Sequence, residues 1–469
     1  MKVLIIWPNT LYEDNELVSI ADKVYIVEHP LFFTKYNYHK MKLVLHRSTM
    51  KYYHDYLVEK YPHLDVKYIN VSKYDKFINI SKQHTILFHD PVDHIISNEF
   101  RKYNTEIHPT KSFIMSDSDL LNYYNLHKNK NQRHSIFYNY HKDILLVEYL
   151  ANGEENNKVK TWNKIFNKNH DEENRNKFPE EYESPKLHRV NNTSSYITDA
   201  IKYVERIFPN NPGDSELIYE DINFGYVKKL FSNFLKKKLI HFGDYQDAVR
   251  SDVIFGNHSV LSPFMNIGMI EPRKVLHKVI KFYNSRSNKI TVNNIEGYLR
   301  QIIGWREYCR YIYLYFRTKL IKNPRNAVRK LNKRLWYDFD TQSMNDPKYE
   351  FAKVDYIPVM LDKVKRYAYL HHIERLMYIG NFMLLYEIHP KEVFNWFQCM
   401  FLDSYHVFMY PNVYGMSQHT TDLMMSKMYI CSSNYVHNMS DYSRNDYVDN
   451  LYKKLISRIN KHKNDHKRY

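Results

Sequence analysis

The stretch IEGYLRQIIGWREYCRYIYLYF, residues 295–316, decides how the second half of the chain folds. It contains no proline, and its apolar and aromatic residues return at steps of three and four, the period of an α-helix. On that helix Gln301, Trp305 and Tyr308 share one face, while Leu299, Arg300 and Arg306 spread around it. Gly304 beside Trp305 leaves bare backbone that something flat can approach. Trp305 is as readily core filler as the wall of a binding site.

Outward from this helix, the same period holds from about residue 218 onward with dense aromatics, which predicts an all-α domain over 216–469. The first 125 residues read differently. KVLIIW (2–7), KVYIVEH (23–29), VKYINV (66–71), HTILFHD (84–90) and KSFIMS (111–116) read as strands, and residues 38–61 as a helix. That alternation predicts an α/β domain over 1–125 built on a doubly wound parallel sheet. WPNTL follows the first strand in place of G-x-G-x-x-G, so an NAD-type site is unsupported. Residues 126–215 are charged, Asn-rich and Pro-punctuated, the composition of an interdomain linker.

The 469 residues carry a formal charge of +16 and a pI near 9.2. Such a balance suits a polyanionic partner such as nucleic acid, although A/T-rich coding also enriches lysine. Cys309, Cys399 and Cys431 are too few and scattered for a disulfide framework, which points to a reducing, intracellular compartment. No apolar run approaches the roughly eighteen residues that span a bilayer, and no signal-type segment opens the chain. A soluble monomer with no membrane contact is expected.

HSVLSP (258–263) sets small hydroxyls ahead of a helix start, where they and backbone amides can hold phosphate. A plain helix cap uses the same residues. In YAYLHHIERLMYIGNFMLL (367–385), His371 and Arg375 stand one turn apart and His372 faces the next groove. Paired histidines can serve as proton donors near neutrality. Zinc finds no third ligand at helical spacing and no H-E-x-x-H, so no metal site is expected. Asp403 lies among apolar residues and needs a cationic partner, for which Arg375 is the candidate. Trp396, Phe397, Tyr405 and Tyr410 form an oxidisable aromatic cluster that core packing explains equally well.

FGDYQDA (242–248), HSVLSP with NIG (258–268), EGYLRQIIGWREY (296–308), HHIERLMYIGNF (371–382), DSY (403–405) with PNVYGMSQ (411–418), and NYVHNMSDY (434–442) occur in one order. Together they resemble the iron–sulfur bacterial group of the cryptochrome/photolyase superfamily. TWNKIFNKNHDEENRNKFP (161–179) is similar to the interdomain W-x-F-D-x-E-N-R-x-K-x-P of that group. The resemblance implies a photolyase-like fold and a DNA photolyase, a carbon–carbon lyase that uses light and reduced FAD to transfer an electron to a UV lesion flipped out of DNA. It implies that Tyr245, His258, Ser259, Leu261 and Ser262 line the flavin phosphates and ribityl chain. Gln301, Arg306 and Asn412 would complete the pocket, with the Arg375–Asp403 pair beside the flavin ring. Trp305 would wall the lesion site, and His371 with His372 would favour (6-4) photoproducts over cyclobutane dimers. Trp396 and Tyr405 match the chain that photoreduces the flavin, and Tyr405 also adjoins the cofactor. A cryptochrome-like FAD photoreceptor without repair activity is the first alternative, and a flavin-free nucleic-acid-binding protein the second.

The chain also departs from that group. Relatives hold a [4Fe–4S] cluster on four cysteines, two of them in M-S-D-Y-C-x-x-C, where this chain has Ser443 and Asp446. An upstream ligand would fall near Tyr356, where there is no cysteine, so the iron–sulfur cluster is expected to be absent. Pro8 to Leu11 replace a G-D-Q-L turn, and Phe32 stands where an acid is expected, which argues against an antenna chromophore. Met409 occupies the position of an acid near flavin N5.

Overall fold

The computed structural model describes residues 1–151, 176–184, 194–286, 289–322, 354–425 and 428–466. In the first half β1 (Lys2–Ile6), β2 (Lys23–Val27), β3 (Asp65–Ile69), β4 (Thr85–His89) and β5 (Thr105–His108) form one parallel sheet, in the order β3-β2-β1-β4-β5. Apolar runs occupy the centre, where β1 and β4 are buried on both faces, and polar residues mark the part-exposed edge strands β3 and β5. Leu4 is in register with Val24 on one side and Leu87 on the other. The crossover from β2 to β3 is α1 (Lys40–Lys60), which buries Leu43, Val44 and Leu45 in succession because it is covered on more than one side.

The fifth strand is the more polar TEIH, and the apolar KSFIMS predicted for that role is not a strand. Phe113, Ile114 and Met115 are buried all the same. Their backbone serves the helical half. The Ile114 and Met115 amides donate to the Glu307 carboxylate at 2.8 and 3.2 Å, and the Ser112 carbonyl accepts from Arg306 Nε and Nη2 at 3.1 and 3.0 Å. Groups committed to side chains in this way are not free for a sheet ladder. Hydrophobicity marked a buried segment but not the surface that buries it.

After α2 (His94–Phe100) and α3 (Asp117–His127), the stretch read as a linker contains α4 (His134–Ala151) and α5 (Ser195–Ile207). α5 packs along α1, where the Arg47 guanidinium sits 3.4 Å from the Tyr203 ring centre. Residues 161–175 of the interdomain motif lie outside the described residues.

The second half is helical: α6 (Phe224–Lys237), α7 (Pro272–Asn284), α8 (Val292–Leu299), α9 (Glu307–Ile321), α10 (Tyr356–Tyr367), α11 (Asn381–Leu385), α12 (Pro390–Met400), α13 (Ser433–Met439) and α14 (Asp446–His466). Among the described residues three π-helical segments interrupt it, at Arg300–Arg306, Glu374–Gly380 and Tyr410–Ser417. The halves share one core. Leu11 N donates to Ile267 O at 2.9 Å, and Gly268 follows with φ +90°, where a Cβ would come within 2.8 Å of the Tyr12 ring. Lys42 of α1 is buried against the helical half, donates to Gln398 O at 3.1 Å, and has its pKa pushed down to about 7 by that burial. Among the described residues no helix is long and apolar enough to cross a membrane.

Candidate active site

The three π segments converge on one cavity of about 260 Å³. A π turn inserts a residue and rotates the side chains beyond it, a feature that recurs at functional sites. Its effect is visible in the stretch 295–316, where Gln301 and Trp305 line the cavity while Tyr308 turns into the core and bonds Gln132 O. Trp305 and Tyr308 still lie ring to ring, at 5.7 Å, but only Gln301 and Trp305 of that face reach the cavity. Gly304 does admit something flat, but from the protein itself: a Cβ there would lie 2.9 Å from His134 Nε2 and 3.0 Å from the Tyr138 ring.

Arg375 and Asp403 form the ion pair expected from the burial of an acid among aromatics. Arg375 Nη1 donates to Asp403 Oδ1 at 2.8 Å, and Ser262 Oγ donates to Asp403 Oδ2 at 2.8 Å. Burial alone would raise the Asp403 pKa, but the Arg375 charge and the hydrogen bonds from Arg375 and Ser262 outweigh it and hold the carboxyl below its usual range. Arg375 Nε bonds Leu370 O at 2.7 Å, so the guanidinium is fixed at both ends. Val260, inside the His258–Ser262 turn, has φ +53°, a strained conformation for a β-branched residue. Ser262 thus spends its hydroxyl on Asp403, and Ser259 remains on the cavity wall.

Arg306 is buried between the rings of Phe113 and Phe408, at 4.9 and 4.8 Å, and bonds Asn266 Oδ1 at 2.6 Å. Burial lowers its pKa to about 10, which leaves it charged at neutral pH. Asn412 Oδ1 accepts from Trp305 Nε1 at 3.2 Å, while its amide nitrogen bonds Phe408 O at 2.8 Å.

The adjacent histidines part company. His371 is buried, stacks on His258 at 4.9 Å and 15°, and its pKa is driven well down by burial, then by the charges of Lys363, His372 and Arg375. The His258 pKa is likewise driven well down by burial and then by His371 and Lys238. Both rings are neutral at pH 7. His372 is exposed at the mouth, 5.9 Å from the Trp305 ring and beside the exposed Gln301.

Four predicted residues stand off the cavity. Tyr245 stacks on Phe178 at 5.5 Å, and Leu261 is wholly in the core. Tyr405 turns its hydroxyl to His46 Nε2 of α1 at 2.8 Å. Trp396 packs behind the lining residue Phe397 at 5.4 Å. Gln246, Asp247, Asn266, Tyr298, Tyr369 and Phe408 line the cavity without having been singled out. Of these, Gln246 and Asp247 lie in FGDYQDA, Asn266 in NIG and Tyr298 in EGYLRQIIGWREY. Met409 is on the wall.

The turn MSDYSRNDY (439–447) is built differently. The rings of Tyr356, Tyr378 and Tyr442 close on one another at 5.5, 5.9 and 6.2 Å. Ser443 and Asp446 are exposed, with Ser443 N donating to Asp355 Oδ2 at 2.9 Å and Asp446 opening α14. At the other departure, Phe32 is core, and Asn9 of the PNTL turn bonds Pro91 O at 2.9 Å.

Comparison with known proteins places this architecture. The fold matches that of a bacterial class III photolyase from Agrobacterium tumefaciens, with TM-score 0.51 and 12% identity over 90% of this chain and 80% of the other. It also matches an archaeal photolyase from Sulfolobus tokodaii solved with two FAD molecules, with TM-score 0.54 and 12% identity over 91% and 85%. Residues 4–218 match the family of deoxyribodipyrimidine photo-lyase-related proteins. A (6-4) photolyase of Agrobacterium fabrum is 35% identical over 286 residues, which are 58% of this chain and 52% of that protein. The chain thus spans about half the length of that relative. The uncharacterized protein R853 of Acanthamoeba polyphaga mimivirus is 42% identical over 97 residues, 21% of this chain and 73% of its own length.

Proposed function

We propose that the chain is a light-dependent DNA photolyase that binds FAD in the cavity and prefers the (6-4) photoproduct to the cyclobutane dimer. The observation that carries the reading is the cavity itself, with the Arg375–Asp403 pair inside and Trp305 with His372 at its mouth. The residues suit such a cofactor. His258 Nε2 is buried beside the cavity with no hydrogen-bond partner among the described residues, so a polar ligand group has a place to bond. His258, Ser259, Ser262, Gln301, Arg306, Arg375, Asp403 and Asn412 would hold it. Bound, reduced and excited by light, the flavin would supply the electron that splits the lesion.

The rest falls to the protein's own side chains. The Arg375–Asp403 pair would present a fixed cation and a part-buried carboxylate to such a cofactor. Trp305 offers a flat face to a flipped-out base, and unstacking costs least at a damaged site. His371, neutral, can accept a hydrogen bond. His372, at the mouth, is the one of the pair placed to hold a proton against the lesion. Basic residues, in a chain of formal charge +16, would grip phosphates with salt-sensitive affinity. The tyrosine-filled turn supports the reading that no iron–sulfur cluster is bound, and the PNTL turn with Phe32 argues against an antenna chromophore.

The test is direct. The purified protein should be yellow and, once photoreduced, should restore bases in DNA carrying (6-4) photoproducts faster than in DNA carrying cyclobutane dimers. A yellow protein that repairs neither lesion is a photoreceptor. A colourless one that FAD cannot reconstitute overturns both flavin readings.

A further inference from the structure

Away from the cavity, the two halves of the chain meet at a second group of ligand-type side chains. Asp93 and His94 stand where β4 leads into α2, and His406 begins the helical turn His406–Met409 that follows Asp403. One ligand atom from each lies within 4.8 Å of the other two, the one such trio of His, Cys, Asp or Glu found among the described residues. His406 Nδ1 is buried and only 2.8 Å from Asp93 Oδ2, yet it makes no hydrogen bond among the described residues. The contact has the length of a hydrogen bond without its direction.

The trio is also braced from behind, as metal-binding side chains are. Tyr36 Oη lies 2.9 Å from His406 Nε2, Tyr313 Oη lies 2.6 Å from His94 Nδ1, and Asp93 Oδ1 accepts from Ile95 N at 2.9 Å. Those contacts leave His406 Nδ1 and Asp93 Oδ2 side by side at 2.8 Å. His94 is part-exposed, which opens a route from solvent.

We propose that Asp93, His94 and His406 form a site for a divalent transition-metal cation, best matched by zinc, that ties the sheet domain to the segment carrying Asp403. Two imidazoles and a carboxylate are the donors Zn²⁺ and Co²⁺ accept, with solvent in the remaining position. Mg²⁺ and Ca²⁺ favour oxygen-only shells. The segment held is the one that runs from Asp403, paired with Arg375, to Met409 on the cavity wall. The expectation of no metal rested on helical spacing within one element, and these ligands come from opposite halves of the chain.

The full-length protein, stripped with chelator and dialysed, is titrated with Zn²⁺ and with Co²⁺, with metal content and melting temperature followed. About one equivalent should bind per chain and raise the melting temperature. Binding alone decides nothing in a chain with 25 histidines. His94→Ala, which alters a part-exposed side chain, should weaken the affinity at least tenfold while its circular dichroism stays that of the parent. Asp93→Asn should weaken it comparably. Equal affinity in parent and His94→Ala overturns the proposal, as does failure of the parent to bind at tenfold metal excess.

Discussion

Around the cavity, Asp403 is bonded directly to Arg375 and Ser262, Arg375 is also held by Leu370 O, and His258 lines the same wall. At the turn 439–447, the rings of Tyr356, Tyr378 and Tyr442 close the interior, and the Tyr356 and Tyr442 hydroxyls make no hydrogen bond among the described residues. Both regions carry motifs that resemble the same superfamily. The first holds polar groups that a ligand would complete, and the second is filled by packed aromatic rings. A backbone frame can therefore persist after its chemistry is exchanged, because packing alone supports a turn whereas a binding site needs charges held apart from water.

The largest effect expected of this contrast is on repair. His372→Ala should lower (6-4) repair by about 100-fold or more, the usual worth of a positioned proton donor, while FAD stays bound. Undiminished repair would remove His372 from the mechanism. Tyr442→Ala should do the opposite, costing about 3–5 kcal/mol in denaturant unfolding and leaving flavin content unchanged. If flavin is lost in step with stability, the two regions are not independent. Arg375→Gln strands the Asp403 carboxylate and should cost about 3 kcal/mol, but with loss of FAD absorbance as its main sign.

pH separates the regions again. His258 and His371 have depressed folded pKa values, so between those values and an unfolded value near 6.5 the unfolded state binds more protons. Stability should therefore fall as pH drops below about 6.5, by about 1.4 kcal/mol per pH unit for each histidine, and His258→Asn should flatten the slope. Asp403, also depressed, contributes above its unfolded value near pH 4, and that contribution is lost only as pH falls further, through the folded value. The smallest effect belongs to the exposed turn. Ser443→Cys with Asp446→Cys should change stability by less than about 0.5 kcal/mol. Iron analysis should find none bound, and iron in that variant would show that the tyrosines leave room.

The sequence alone determined the parallel sheet in outline and the helical second half, because apolar period is a local property that survives into the fold. It also determined the Arg375–Asp403 pair, since a carboxylate among aromatics has few ways to be stabilised. Tertiary structure decided the rest. KSFIMS is buried by Glu307 and Arg306 instead of by a neighbouring strand. The packing put Tyr308 behind Trp305 and off the cavity wall, and burial separated a neutral His371 from an exposed His372. Asp93, His94 and His406 meet only because the halves share one core. Burial, dielectric environment and side-chain convergence depend on which distant segments come together, and no local pattern encodes that.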